Sequence, residues 1–243
     1  LLAGTLSRLN VPLEVVGEDV DGALWSWTLI EDSRCPVYEV PSLSRSVVAV
    51  DPSGGGRDLA GVIGGYLGED GRLWFSHDRS LVGPADKWAR AAALLAAETD
   101  ADLIVYEANY GGDMARSVIR TAWDALSREG VIAAGYICPR LVPVHSRRGK
   151  LLRAEPVAQA WRECRIRTGT YLPEMESEWI TWQPTSPDSP GRIDASVHLA
   201  WALLPTPGST SGVATPSGHM PVSTVSPLGG GGFGASSGLG PLG

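Results

Sequence analysis

The chain has 243 residues, 43% of them hydrophobic, which suits one well-buried core with appendages rather than several domains. A formal net charge of −7 gives no support to a general nucleic-acid-binding surface, so any such contact has to come from a local patch. No apolar run reaches the length of a membrane span and no signal peptide opens the chain. Cys35, Cys138 and Cys164 lack CxxC or zinc spacing, so they read as reduced thiols of a cytoplasmic protein.

The chain begins Leu-Leu rather than Met, as a fragment of something longer would. Val144 stands where a GxxxxGK[ST] motif ending at Lys150 would need its first glycine, which argues against a P-loop ATPase. Residues 1–45 show apolar positions without a sustained period and read as a lead-in that leans on a core built elsewhere. From Ser46 the pattern sharpens. Val47-Val48-Ala49-Val50 predicts a strand buried on both faces, and Pro52-Ser53-Gly54 stops it directly after Asp51.

Leu59–Leu67 and Arg72–Leu81 flank the turn Gly68-Glu69-Asp70-Gly71, giving three consecutive antiparallel strands. Pro84–Glu98 carries Trp88, Ala91, Ala92 and Leu95 at helical spacing, which predicts an amphipathic helix on the sheet. Ala101–Glu107 then repeats the opening device, an apolar strand delivered onto an acid. A helix over about 113–128 follows, with Met114, Val118, Ala122 and Ala125 on one side. Right-handed crossover connection would place parallel strands side by side with their acidic ends together.

Residues 131–144 hold one or two short strands interrupted by Pro139 and Pro143. The following segment is locally basic, and Arg147-Arg148-Gly149-Lys150 at a helix start reads as a phosphate contact, with a solvated helix face as the alternative. An irregular stretch marked by Pro173, Pro184, Pro187 and Pro190 leads to a final helix from Gly191. Its apolar face is Ile193, Val197, Ala200 or Trp201, and Leu204, and Asp194 sits in its first turn. Residues 205–243 are rich in Gly, Ser, Thr and Pro without a single charge, which predicts a flexible tail.

Asp51, Glu107 and Asp194 thus stand at two strand ends and a helix start that can converge. Carboxylates brought together repel unless a cation neutralises them, and oxygen ligands favour Mg²⁺ or Mn²⁺ over zinc. Two such ions can clamp a scissile phosphate, and the basic segment makes a nucleic-acid backbone the expected substrate. Asp58 stands as either a further ligand or an ordinary turn residue. Asp188 is a weaker candidate, and His198, one turn after Asp194, reads as a packed or hydrogen-bonded helix residue.

Val-Val-Ala-Val-Asp51-Pro-Ser, Tyr106-Glu107-Ala-Asn109, Gly149-Lys150 through Arg153-Ala-Glu-Pro156, and Arg192-Ile-Asp194-Ala resemble, in that order, the C-terminal nuclease domain of tailed-phage terminase large subunits. Asp19 through Trp25 and Leu29-Ile-Glu31 resemble the segment joining that family's ATPase domain to its nuclease. The resemblance implies an RNase H-like α/β fold, a mixed central sheet with helices on both faces. It divides the chain into a lead-in (1–45), a nuclease domain (46–204) and a tail (205–243).

It further implies metal-dependent cutting of double-stranded DNA concatemers in the host cytoplasm, with two Mg²⁺ or Mn²⁺ ions on Asp51, Glu107 and Asp194. Arg147, Arg148, Lys150, Arg153 and Arg192 would contact DNA. Partners would be an ATPase domain, the portal and a small terminase subunit. The chain departs from the family at Gly191, where an acid or His often stands three residues before the last Asp. Rival readings are a junction resolvase or transposase-like nuclease, a sugar-kinase or actin-like ATPase, and a catalytically silent module that grips DNA or the portal.

Overall fold

Val47–Val50 run through the middle of the protein. In the computed structural model, which describes residues 19–36, 39–54, 57–108, 112–146, 149–186 and 190–204, all four side chains are fully buried. They belong to β1 (Leu43–Asp51), which pairs antiparallel with β2 (Leu59–Gly68) and parallel with β5 (Leu103–Glu107). β3 (Leu73–Asp78) continues the antiparallel meander beside β2. β6 (Arg140–Val144) and β7 (Ile166–Thr168) are the parallel edge strands of the order β6-β5-β1-β2-β3-β7, and β4 (Leu81–Val82) pairs with β2.

Alternation along the strands divides the core into two layers. Val48, Val50, Val62 and Ile104 face α2 (Ala85–Glu98) and α3 (Gly112–Arg128). Val47, Ala49, Ile63 and Phe75 face a second group: α1 (Trp27–Ser33), α4 (Lys150–Arg162), α5 (Pro173–Thr181) and α6 (Gly191–Leu203). The result is a mixed sheet with helices on both faces, as the resemblance implies.

Several elements differ from expectation for identifiable reasons. The run predicted as one strand over 72–81 breaks after Asp78, whose Oδ1 accepts a bond from the Ser80 amide and turns the chain. The buried side of α3 is Ala115, Ile119, Trp123 and Leu126, while Met114 is exposed: the helix is rotated by about one residue so that Trp123 reaches the core. Pro173 starts a helix rather than extending an irregular stretch, because proline is tolerated where a helix has no amide bond to lose. Met175, Trp179 and Ile180 anchor that helix in the core. On α6, Ala200 is buried and Trp201 is exposed.

Part of the lead-in is built into the core. Trp25 stands edge-on to Trp179 with ring centroids 3.9 Å apart, and the buried Arg34 guanidinium lies between Glu31 at 2.8 Å and Glu176 at 2.9 Å. Pro143 sits in β6, an edge strand, where a missing amide donor is tolerated. Among the described residues no helix is long and apolar enough to cross a membrane. Arg147, Arg148, Asn109, Asp188 and the stretch 205–243 lie outside the described residues.

Candidate active site

Asp51 ends β1 and Glu107 ends β5. Because the two strands are parallel and Val50 lies opposite Tyr106, both acids leave the same edge of the sheet from neighbouring strands. Ligands of open α/β sheets gather at such carboxyl ends. A third donor comes from α6: one ligand atom from each of Asp51, Glu107 and His198 lies within 4.8 Å of the others.

The position of α6 follows from glycines in β2. Gly61 is the register partner of Asp51, and a Cβ there would run into the Gly191 carbonyl oxygen. A Cβ on Gly191 would in turn lie 2.6 Å from the Leu59 carbonyl oxygen, and one on Gly65 would lie 2.7 Å from Leu199. Only backbone without side chains lets the helix lie this close along β2. Glycine at position 191 therefore has a steric cause.

Asp194, in the first turn of α6, is buried and faces two cations: Lys150 Nζ at 3.1 Å and Arg153 Nη2 at 3.3 Å. Arg153 Nη1 also donates to Ser146 Oγ at 2.6 Å. Burial pushes the Asp51 carboxyl well above the usual range, aided by its hydrogen bond with Glu107 and the negative charges of Asp194 and Glu107; Lys150 opposes this. Glu107 moves the opposite way, held well below the usual range by His198 first and by Asp51 and Ser146.

Burial and crowding thus favour a proton on Asp51 beside an ionised Glu107. A divalent cation in place of that proton would let both ionise. The donor set, two carboxylates and an imidazole with Asp194 alongside, fits such an ion. Its oxygen-rich character suits Mg²⁺ or Mn²⁺.

The other expected residues divide. Lys150 and Arg153 border the cluster. Asp58 is exposed before β2 and is not among the three clustered donors. Arg192 turns elsewhere, donating through Nε to Asp78 Oδ2 at 2.6 Å and through Nη1 to Glu178 Oε2 at 3.4 Å. His198, which its spacing from Asp194 singles out and which reads from sequence as a packed or hydrogen-bonded helix residue, is buried and also supplies one of the three clustered donor atoms. A groove of about 560 Å³ leads away from His198 and Arg153, lined by Arg45, Arg140 and Trp201 among others.

No protein-family model and no curated protein matches the chain in sequence. Solved structures do match. The nuclease domain of the large terminase subunit gp2 of bacterial virus Sf6 aligns over 72% of this chain and 96% of its own, with TM-score 0.55 and 13% identity. A mutant of that domain with manganese and beta-thujaplicinol aligns over 72% and 96%, with TM-score 0.52 and 12% identity. The manganese-soaked human cytomegalovirus terminase nuclease domain aligns over 71% and 93%, with TM-score 0.50 and 13% identity.

The fold is RNase H-like. At these identities the likeness to terminase nuclease domains is one of fold, and it covers most of the described chain. Within this RNase H-like fold the clustered acids stand at the carboxyl ends of the central parallel strands.

Proposed function

We propose that the chain is a divalent-metal-dependent DNA endonuclease that serves as the nuclease part of a terminase large subunit, cutting double-stranded DNA concatemers during genome packaging. The observation that carries this reading is the adjacency of Asp51 and Glu107 at the ends of β1 and β5, with Asp194 arriving from α6. The fold shared with two viral terminase nuclease domains supports it.

In this reading Asp51, Glu107 and Asp194 hold Mg²⁺ or Mn²⁺, two ions when substrate is in place. Such ions, held by these residues, would supply Lewis-acid activation of water and charge stabilisation at the leaving oxygen of a phosphodiester. Asp51 and Glu107 keep rigid positions because their backbones are strand ends. Lys150 and Arg153, which pair with Asp194, offer their positive charge to the DNA backbone. Arg147 and Arg148 extend that basic segment, and Arg192 steadies α6 through Asp78 and Glu178.

The segment 1–45 would join the nuclease to an ATPase domain, and 205–243 would be a tether. Portal and small terminase subunit would then supply the positional specificity that an acidic chain lacks. Linear duplex and four-way junction DNA, each offered with Mn²⁺, test the assignment. A terminase-type nuclease cuts plain duplex at least as well as the junction, whereas strict preference for the junction would make the chain a resolvase.

A further inference from the structure

His198 lies one helical turn after Asp194 and is 5% exposed. Its Nε2 is buried, faces Glu107 Oε2 at 3.9 Å, where the attraction is electrostatic, and has no hydrogen-bond partner among the described residues. A buried polar nitrogen left without a hydrogen bond is costly, and an imidazole facing a carboxylate at this separation is placed to share a ligand with it. The same ring supplies one of three donor atoms lying within 4.8 Å of one another. Ligands on opposite sides of a small divalent cation stand roughly 4 Å apart, so a slight contraction of this group closes it around one ion.

Position 191 cannot supply a further ligand. A Cβ on Gly191 would lie 2.6 Å from the Leu59 carbonyl oxygen, so the close seat of α6 on β2 bars any side chain at that point. That seat sets the position of the helix, so that His198, about two turns after Gly191, faces Glu107.

We propose that His198 coordinates, through Nε2, the cation held by Asp51 and Glu107, making this a mixed nitrogen–oxygen site that favours Mn²⁺ over Mg²⁺. The inference rests on reading Asp51 and Glu107 as cation ligands. Its chemical basis is that Mg²⁺ takes oxygen ligands almost exclusively, whereas imidazole suits transition-metal cations.

The test is pulsed electron paramagnetic resonance of Mn²⁺ bound to the whole chain, paired with calorimetric titration of Mn²⁺ and Mg²⁺. The wild-type protein and a control substitution His145→Gln, at a histidine that lines the groove outside the three clustered donors, are expected to show ¹⁴N modulation from a directly bound nitrogen, and His198→Gln to lose it. His198→Gln should also bind Mn²⁺ about tenfold or more weakly, with a smaller loss for Mg²⁺. His198→Asp, which restores an oxygen donor, should bind Mn²⁺ without nitrogen modulation and narrow the preference over Mg²⁺.

Bound Mn²⁺ that is lost in Asp51→Asn but shows no nitrogen modulation in the wild type would overturn the role of His198 and leave the carboxylate site standing. Wild-type protein that binds no Mn²⁺, or binds it equally after Asp51→Asn, would overturn the underlying assignment as well. Thermal melts without metal verify that each variant is folded.

Discussion

Gly61 of β2 and Gly191 at the start of α6 meet backbone to backbone, with no room for a Cβ on either. The contact ties the helix carrying Asp194 and His198 to the strand paired with Asp51. Gly61→Ala forces these elements apart, and overpacking of this kind costs about 1–3 kcal/mol. We expect a Tm lower by several degrees, together with weakened Mn²⁺ binding, by thermal melts with and without the ion. Unchanged values for both would show that the contact does not set the site.

Arg192 binds Asp78 and Glu178 with little exposure of either partner, linking α6 to β3 and α5. Arg192→Ala strands these acids, which costs about 3 kcal/mol, or roughly 6–12 °C in Tm for a protein of this size. A DNA-contacting role alone would leave Tm unchanged and lower the salt dependence of DNA binding, so melting and salt titration together separate the two roles.

Asp51 has its carboxyl raised by burial and by the neighbouring acids. A group whose pKa is higher in the folded than in the unfolded state binds more protons when folded, so its contribution to stability falls as pH rises through that interval. Asp51→Asn removes this penalty. Without metal the variant is expected to melt about 3 °C or more above wild type at neutral pH, with the difference vanishing in acid. Mn²⁺ should reverse the order, because only the wild type gains binding energy. Differential scanning fluorimetry over a pH series with Mn²⁺ or EDTA reads both.

Lys150 and Arg153 are the cations paired with Asp194. Lys150→Ala and Arg153→Ala are each expected to weaken DNA binding across all sequences and to reduce the slope of log affinity against log salt by about one. Fluorescence anisotropy on a labelled duplex at several salt concentrations measures the slope. A loss confined to one sequence would mean base contact instead of phosphate contact.

Much of the sheet was legible because its strands are long and their burial continuous: Val47–Val50 and Leu103–Glu107 announce a two-sided core, and the turn at 68–71 announces a hairpin. The placement of Asp51 and Glu107 at neighbouring strand ends was legible for the same reason, since both acids terminate such runs. β7 was not, since Ile166–Thr168 is three residues with Arg167 in the middle, and only its pairing with Leu73–Phe75 makes it a strand. α5 was hidden by reading Pro173 as a breaker when it occupies the first turn. The position of His198 depends on the glycine contact between β2 and α6, a tertiary fact that its spacing from Asp194 hints at and cannot fix.

The most direct test is conversion of supercoiled plasmid to nicked and linear forms by the whole chain with Mn²⁺, Mg²⁺ or EDTA, beside Asp51→Asn and Asp194→Asn. The account predicts cutting with divalent metal, none with EDTA, and loss by at least about a hundredfold in both variants. Metal-independent cutting, or cutting that survives both substitutions in folded protein, would contradict it.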